Sequence, residues 1–403
     1  MKQANGLMAF AAAALLTACA QGTGSVLPSM GSDRTPSTLK AVPIPATTPT
    51  PSPGLLGGVL NLVGGLACGV TLGVTCHILP GAGPQGLAAG TPAGQLPGFH
   101  PNDLRDAYNL PSTGAGAGQT IGIVVAFDNP DIEADLSVYR AKFGLPPCTT
   151  ANGCFKKLGP GLLGAVVAGN EGWGQESSLD VDVASAVCPN CKIIVSEAPS
   201  DSPAALLAAA RVAVAYGATV VSNSYSLAEY PAEAVDDAAY AIGVPFVVGA
   251  GDSGAGAQWP AASSHAIAVG GTSLARDTSA RGWSEKLWSL SGGGCSKHIA
   301  KPAWQPSDGC AGRSANDVAA FADPNPGVSV YDSYLSHGAG WRTYGGTSVA
   351  APIVAGAIAL AGNGTTDLLD AGYIYGHASA LHAIGGGYNA VAGNGSPDGV
   401  GAF

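Results

Sequence analysis

The sequence predicts an α/β fold in which a mostly parallel, twisted sheet carries helices on both faces. Two observations lead there. From about residue 96 strands and helices alternate, and that order implies parallel strands joined through covering helices. The first strand, "QTIGIVVAFD" (119–128), also reads as buried. The elements then follow in order. "EADLSVYRAKFG" (133–144) is an amphipathic helix with a glycine stop, "KIIVSEA" a strand, and "SPAALLAAARVAVAYG" a helix with Ser202 as its cap. "ATVVSNSYS" is a strand, "AVDDAAYAIG" a helix, and "VPFVVGAGD" and "HAIAVGGTSL" are strands. Sites in such sheets lie at the carboxyl ends of the strands, where Asp128, residues 222–226 and Asp252 fall. No internal repeat is visible.

The chain ahead of this pattern reads differently. Residues 1–18 look like a signal peptide: a positive Met1-Lys2 end, a brief apolar core and "LTAC" running into Cys19. That junction resembles a bacterial lipobox, which implies cleavage before Cys19, lipidation of it, and placement as an outer-membrane lipoprotein. An ordinary signal peptide in which Cys19 is incidental is the alternative. Residues 19–53 form a Pro/Ser/Thr-rich linker. Residues 54–95 are Gly-rich and apolar, with no charge from 54 to 79. By length that run could span a bilayer; its glycines and cysteines favour a segment folded against the main domain, which is placed at 96–403.

Charged residues make up 11% of 403, and the net charge is −10. A nucleic-acid partner would need basic patches, so that class is excluded. With Cys19 set aside, eight cysteines remain in local pairs, Cys68/Cys76, Cys148/Cys154, Cys188/Cys191 and Cys295/Cys310. In an exported chain these read as four disulfides. "CPNC" (188–191) also has zinc-like spacing, but zinc would need a second ligand pair brought beside it.

"GGTSVAAPIVAG" (345–356) puts Ser348 at the start of a helix, with Pro352 expected within about its first turn. Ser348 could be a helix cap. It could instead be a nucleophile served by backbone N–H groups and the positive end of the helix dipole. "EGWGQESSLDVDVASAV" places Glu176 and Asp180 four apart. On a helix they share a face, where like charges repel unless the pair has a use. One carboxylate could take the serine proton while the other orients it. Asp182 competes for that role but points off the face. "VVGAGDSGAG" sets Asp252 at a strand end, where it could donate a hydrogen bond if burial kept it protonated.

"GGTSVAAP" resembles the nucleophile motif of the subtilisin-like clan, but no H-G-T-H segment is present, and His100, His265, His298 and His337 fall at the wrong places. The wider pattern resembles the sedolisin family, the serine-carboxyl peptidases. It includes "HPNDLRDAYNLPS", "GWGQESSLDVDVASAVCPNC", "SNSYS", "GAGDSG", "AIAVGGTSL", "GCSKHIAKPAWQ", "ADPNPGVSVYDS" and "GGTSVAAP". The resemblance implies a subtilisin-like three-layer fold, with Ser348 as nucleophile, Glu176 as general base, Asp180 orienting it and Asp252 as oxyanion acid. Asp128 reads as a structural carboxylate. Family members usually carry a large folded propeptide, whereas about 75 low-charge residues lie ahead of the domain here. They also usually hold calcium near the C-terminus through two aspartates. The matching positions here are His382 and Asn389, with Asp398 nearby, so no metal and no other cofactor is expected.

The expected activity is that of a surface-tethered serine endopeptidase acting at acid pH on proteins or peptides, monomeric and held to the membrane by lipid. A catalytically silent relative serving as a surface binding protein is the alternative. The filled catalytic positions favour the enzyme. A lipase-type hydrolase would want G-x-S-x-G, which "GGTSVAA" lacks.

Overall fold

The computed structural model describes residues 74–403, apart from 112–114, 160, 162–168, 255, 307 and 335–337. All the described residues belong to one compact unit. The signal peptide, Cys19, the linker and Cys68 lie outside the described residues.

The chain runs β1 (Thr75–Cys76), β2 (Leu79–Pro80), α1 (Pro101–Ala107), β3 (Thr120–Ala126), α2 (Ile132–Lys142), β4 (Phe155–Leu158), α3 (Glu171–Val187), β5 (Lys192–Ala198) and α4 (Pro203–Ala215). It continues through β6 (Val220–Asn223), β7 (Tyr225–Ala228), α5 (Glu233–Asp236), β8 (Phe246–Gly249), β9 (Gln258–Trp259), β10 (Ala266–Arg276) and β11 (Trp283–Leu287). Then come β12 (Gly294–Ala300), β13 (Gly312–Ala315), β14 (Val318–Phe321), β15 (Val328–Asp332), β16 (Gly340–Gly345) and α6 (Thr347–Ala361). The central sheet has the order β11-β10-β8-β6-β3-β5-β4, with β14 also on β10. Its pairings are parallel except for the β10–β11 hairpin. The mostly parallel sheet between helical layers is therefore the fold the alternation predicted.

The helices start and stop where their sequences dictate. Ser202 caps α4 by accepting from the Ala205 amide at 3.2 Å, and Gly144, just past α2, takes φ 66°, open to glycine at little cost. Helix α4 lies on β3, where Gly122 leaves room for Ala213 and Ala218. Helices α3 and α6 pack against each other and are buried almost throughout. Pro352 sits inside α6 rather than in its first turn, so the Ser348 carbonyl has no N–H four residues on to accept from.

Two segments depart from expectation. "ATVVSNSYS" is not one strand: β6 ends at Asn223, Ser224 turns, and β7 leaves the main sheet to pair with β1 and β9. "AVDDAAYAIG" is a single α-turn followed by a 3₁₀ turn (Asp237–Tyr240), because the Asp237 carboxylate is bonded to Ser263, Ser264 and the Ser264 amide. Residues 75–80 pair with the main domain, the arrangement favoured for that Gly-rich segment. Thr75–Cys76 and Leu79–Pro80 are strands, and none of the described helices is long and apolar enough to cross a membrane.

Disulfides close Cys148–Cys154, Cys188–Cys191 and Cys295–Cys310 as paired from the sequence. Cys76 is disulfide-bonded too. The CxxC is thus a bridge, not a zinc ligand pair.

Ahead of β14, Arg313 and Asp317 form a fully buried ion pair at 2.7 Å. Asp317 also accepts from the Ala268 amide on β10, and Arg313 donates to the carbonyls of Ser263 and Ala266. Removing one partner strands the other charge in the interior. Asp317→Ala should therefore cost about 3–5 kcal/mol, measured by urea denaturation; a loss under 1 kcal/mol would contradict this role.

Candidate active site

The site forms where the carboxyl ends of β6 and β8 meet the N-termini of α3 and α6. Asn170 caps α3 by accepting from the Trp173 amide, which sets the helix register. Glu176 and Asp180 fall on the face turned to α6, and both are wholly buried. Ser224, at the turn after β6, donates to Asp180 Oδ1 at 2.7 Å. Asp182 points elsewhere, accepting from the Tyr331 amide at 3.0 Å. Asp128 stands outside the site in an ion pair with Lys157, so it is a strand-end structural carboxylate as read.

Gly346, with φ 112°, is the cap residue of α6, so Ser348 lies inside the first turn and is not its cap. Asp252 does the capping from outside: its Oδ1 accepts from the Thr347 amide at 2.8 Å and from the Thr347 hydroxyl at 2.9 Å. Its Oδ2 is buried with no partner among the described residues, as are both Glu176 oxygens, Asp180 Oδ2 and the Ser348 hydroxyl. Unsatisfied buried polar atoms are rare in proteins and concentrate where chemistry needs them.

Electrostatics follow from burial. Desolvation, then the Asp180 charge, drives Glu176 well above the usual carboxyl range; the nearby Ser348 hydroxyl and His77 backbone oppose the shift. Desolvation also drives Asp180 up, opposed by Ser224. Asp252 is pushed up to about 7 by burial of its carboxyl, against the two Thr347 bonds.

The upstream segment also enters the site, which sequence reasoning missed. The Ser348 amide donates to the His77 carbonyl at 3.4 Å, and the His77 amide donates to the Ser224 carbonyl at 3.2 Å. A Cβ on Gly346 would stand 1.9 Å from that His77 oxygen and 2.5 Å from Asp252 Oδ2, so both oxygens flank one point. The His77 ring is 3% exposed, with Nε2 2.6 Å from Ser226 Oγ and Nδ1 3.2 Å from Thr347 Oγ1. Neither nitrogen bonds Ser348, and burial lowers its pKa to about 3. His77 is therefore a neutral ring held by hydroxyls, not the base of a Ser–His pair. Ser224 and Thr347 were also missed as positioning groups. Their signal was the serine-rich strand end and the residue just before Ser348.

The raised Asp252 pKa has a consequence for stability. A carboxyl held above its unfolded value stabilises the fold while protonated, and that contribution is lost as pH rises toward the folded pKa. Stability should therefore fall between about pH 4 and 7, and Asp252→Asn should remove part of the slope in urea titrations across that range. An unchanged slope would show that Asp252 ionises without penalty.

The subtilase family profile matches residues 162–369. Kumamolisin from Bacillus sp. (strain MN-32) is 31% identical over 297 residues, covering 65% of this chain and 51% of that protein. Sedolisin from Pseudomonas sp. (strain 101) is 27% identical over 348 residues, covering 77% of this chain and 57% of that protein. The chain thus spans little more than half the length of these relatives. Pseudomonas sedolisin, a serine-carboxyl proteinase solved with two molecules of pseudo-iodotyrostatin, superposes with a TM-score of 0.65 at 24% identity. That match covers 76% of this chain and 96% of the solved one, and the likeness is one of fold.

Proposed function

The chain belongs to the subtilase family, and from that premise we propose that it is a serine-carboxyl endopeptidase. It acts on protein or peptide substrates at acid pH through an acyl-enzyme on Ser348. The observation that carries this reading is the buried serine at the start of α6, set between a carboxyl pair and a carboxyl with a raised pKa. Glu176 takes the Ser348 proton, and Asp180, held by Ser224, orients Glu176. The developing oxyanion is met by the Ser348 amide and by the proton on Asp252 Oδ2. Export, a lipid anchor on Cys19 and a monomeric state belong to the same proposal. Labelling cells with a fatty-acid analogue, with Cys19→Ser as control, tests the anchor.

The pH profile follows from these roles. Activity should rise as the Glu176–Asp180 pair loses a proton; the two titrate together. It should fall as Asp252 loses its own near about 7. The result is a bell with its maximum below neutral pH. Asp252→Asn supplies a donor that cannot ionise, so the falling limb should move to higher pH while the rising limb stays. Asp252→Ala should lower kcat by roughly 10²–10³. Glu176→Gln should abolish turnover with folding intact. A Glu176→Gln protein with near-full peptidase activity would sink the assignment.

The same proposal includes weak or no calcium binding. The Asn389 amide donates to the carbonyls of Ile384 and Gly387 at 3.0 Å each, and its own oxygen accepts from the Val391 and Ala392 amides, so its polar atoms are already engaged. His382 lies 3.5 Å from Asp398 and brings no negative charge. A hard cation prefers carboxylate oxygen, so this donor set does not fit it. Calorimetry should show no tight stoichiometric calcium uptake; uptake lost on altering residues 381–395 would overturn this.

A further inference from the structure

We infer that Glu229 and Glu233 share one proton, and that this proton positions the β7 edge for substrate. The inference rests on the peptidase reading above and adds two positioning residues to it. Glu229 follows β7 directly, and Glu233 opens α5 four residues later. Glu229 is held from β12: its Oε1 accepts from the Ser296 hydroxyl, and its Oε2 accepts from the Lys297 amide at 3.2 Å. Ser296 Oγ in turn accepts from the His298 amide at 3.2 Å and the Ile299 amide at 2.9 Å, so its one hydrogen points to Glu229. Both Glu229 oxygens are thus engaged as acceptors, the arrangement a carboxylate makes.

Glu233 is wholly buried. Its Oε1 accepts from the Tyr230 amide at 2.6 Å, and no donor among the described residues reaches its Oε2. The Glu229 carboxyl nevertheless stands within hydrogen-bonding reach of Glu233. Two carboxylates cannot bond each other, but a carboxylic acid can donate to a carboxylate. The proton therefore belongs on Glu233 Oε2, directed at Glu229. Around the pair stand Asp236, bonded to the Tyr230 hydroxyl at 2.8 Å, Tyr240, bonded to Trp259, and Arg211 of α4, bonded to the Ala239 carbonyl. His298 and the exposed Lys297 of β12 complete the titratable surroundings. Burial pushes Glu233 up to about 7, opposed by the Tyr230 amide and reinforced by Glu229 and Asp236.

The pair sits where it can act on substrate binding. Extended peptides bind by main-chain bonds to a strand edge, and β7 is an edge that leads to Ser348. One end of β7 starts at the turn that carries Ser224 to Asp180; the other runs into Glu229. The bonds from Glu229 to β12 fix that far end. The loop before β12 is tied in turn to the segment around Asp252. The Gly292 amide donates to the Gly251 carbonyl at 2.6 Å, and the Gly293 amide to the Gly256 carbonyl at 3.2 Å. While the proton is present, Glu229 joins α5 to β12 and holds the β7 edge in register with Asp252. A carboxyl held above its unfolded value stabilises this arrangement while protonated. As pH rises toward about 7 the proton leaves, two negative charges face each other, and the edge loosens.

The test uses the purified full chain and the best-cleaved member of an internally quenched peptide library, with kcat and KM measured separately across pH. From about pH 5 to 7.5 KM should rise roughly tenfold, as expected for the loss of one hydrogen bond. Glu233→Gln supplies a permanent donor to Glu229 and an oxygen for the Tyr230 amide. Its KM should stay flat, while its kcat profile keeps the wild-type shape. Glu229→Gln sets a donor against Ser296 or Lys297, so its KM should be raised at every pH. Hydrogen exchange of segments 225–236 and 294–300, corrected for the intrinsic effect of pH, reads the same clamp without turnover. Over that pH range protection should fall in the wild type and not in Glu233→Gln. A wild type in which neither KM nor protection changes overturns the inference, as do identical profiles in the two proteins. If no peptide is cut at any pH, the peptidase reading falls and exchange alone decides the clamp. A wild-type loss of protection that Glu233→Gln abolishes then upholds it, and equal protection overturns it.

Discussion

The site depends on the bond between Asp252 and the first turn of α6. A helix start leaves backbone N–H groups without partners, and something must satisfy them. Gly346 has no side chain to do so, and it cannot acquire one, because a Cβ would strike the His77 oxygen and Asp252 Oδ2. The carboxylate from the loop after β8 does it instead, through Oδ1 to both the amide and the hydroxyl of Thr347. That fixes the helix to the sheet and aims the next amide, that of Ser348, into the cleft. It also commits one carboxyl oxygen and leaves the other facing the point where a carbonyl oxygen sits. A single short contact therefore sets the position of Ser348, the proposed nucleophile, and the direction of Asp252 Oδ2, its proposed oxyanion donor.

The distribution of charge supports the proposal that this arrangement works in acid. Two interior carboxylates elsewhere are paired with cations, Asp317 with Arg313 and Glu197 with Lys157. At the site, the groups that set the carboxyl pKa values are other carboxyls, hydroxyls and backbone, and none is a cation. Burial then works in one direction on all three. In most folds this would be a liability, since buried charges without partners are expensive. Protonation relieves the cost, and it is also what turns Asp252 from an acceptor into a donor.

Much of this was legible in the sequence, for reasons that differ by residue. Glu176 and Asp180 could be read because helical spacing puts i and i+4 on one face whatever the surroundings. Ser348 and Asp252 could be read because short motifs at a helix start and a strand end carry their own geometry. The sheet followed from alternation of elements. What could not be read is long-range. "ATVVSNSYS" looks like one strand because local β preference does not register the turn at Ser224, which exists to meet β1 and Asp180. His77 sits in a Gly-rich run with no periodic pattern, and its place is set by pairings to residues about 150 and 265 positions away. Pro352 was placed too early because the position of the α6 cap depends on Asp252, 94 residues before Gly346.

The edges of β7 and β16 give the cleft its logic. An unpaired strand edge exposes a row of donors and acceptors that invites any extended chain. Here two such edges flank Ser348, one on each side, and the chain's own β1 and β2 fill them. Glu176, Asp180 and Ser348 are all buried, and burial is the largest cause of the raised pKa values of the two carboxyls. Emptying the slot would admit water, weaken desolvation and let the pair ionise more readily. On the proposed reading, the ionisation that would start catalysis is thus coupled to what occupies the edges. An extended peptide that pairs with both edges restores the dry surroundings in which the Asp252 proton and the Ser348 amide act most strongly on a carbonyl oxygen.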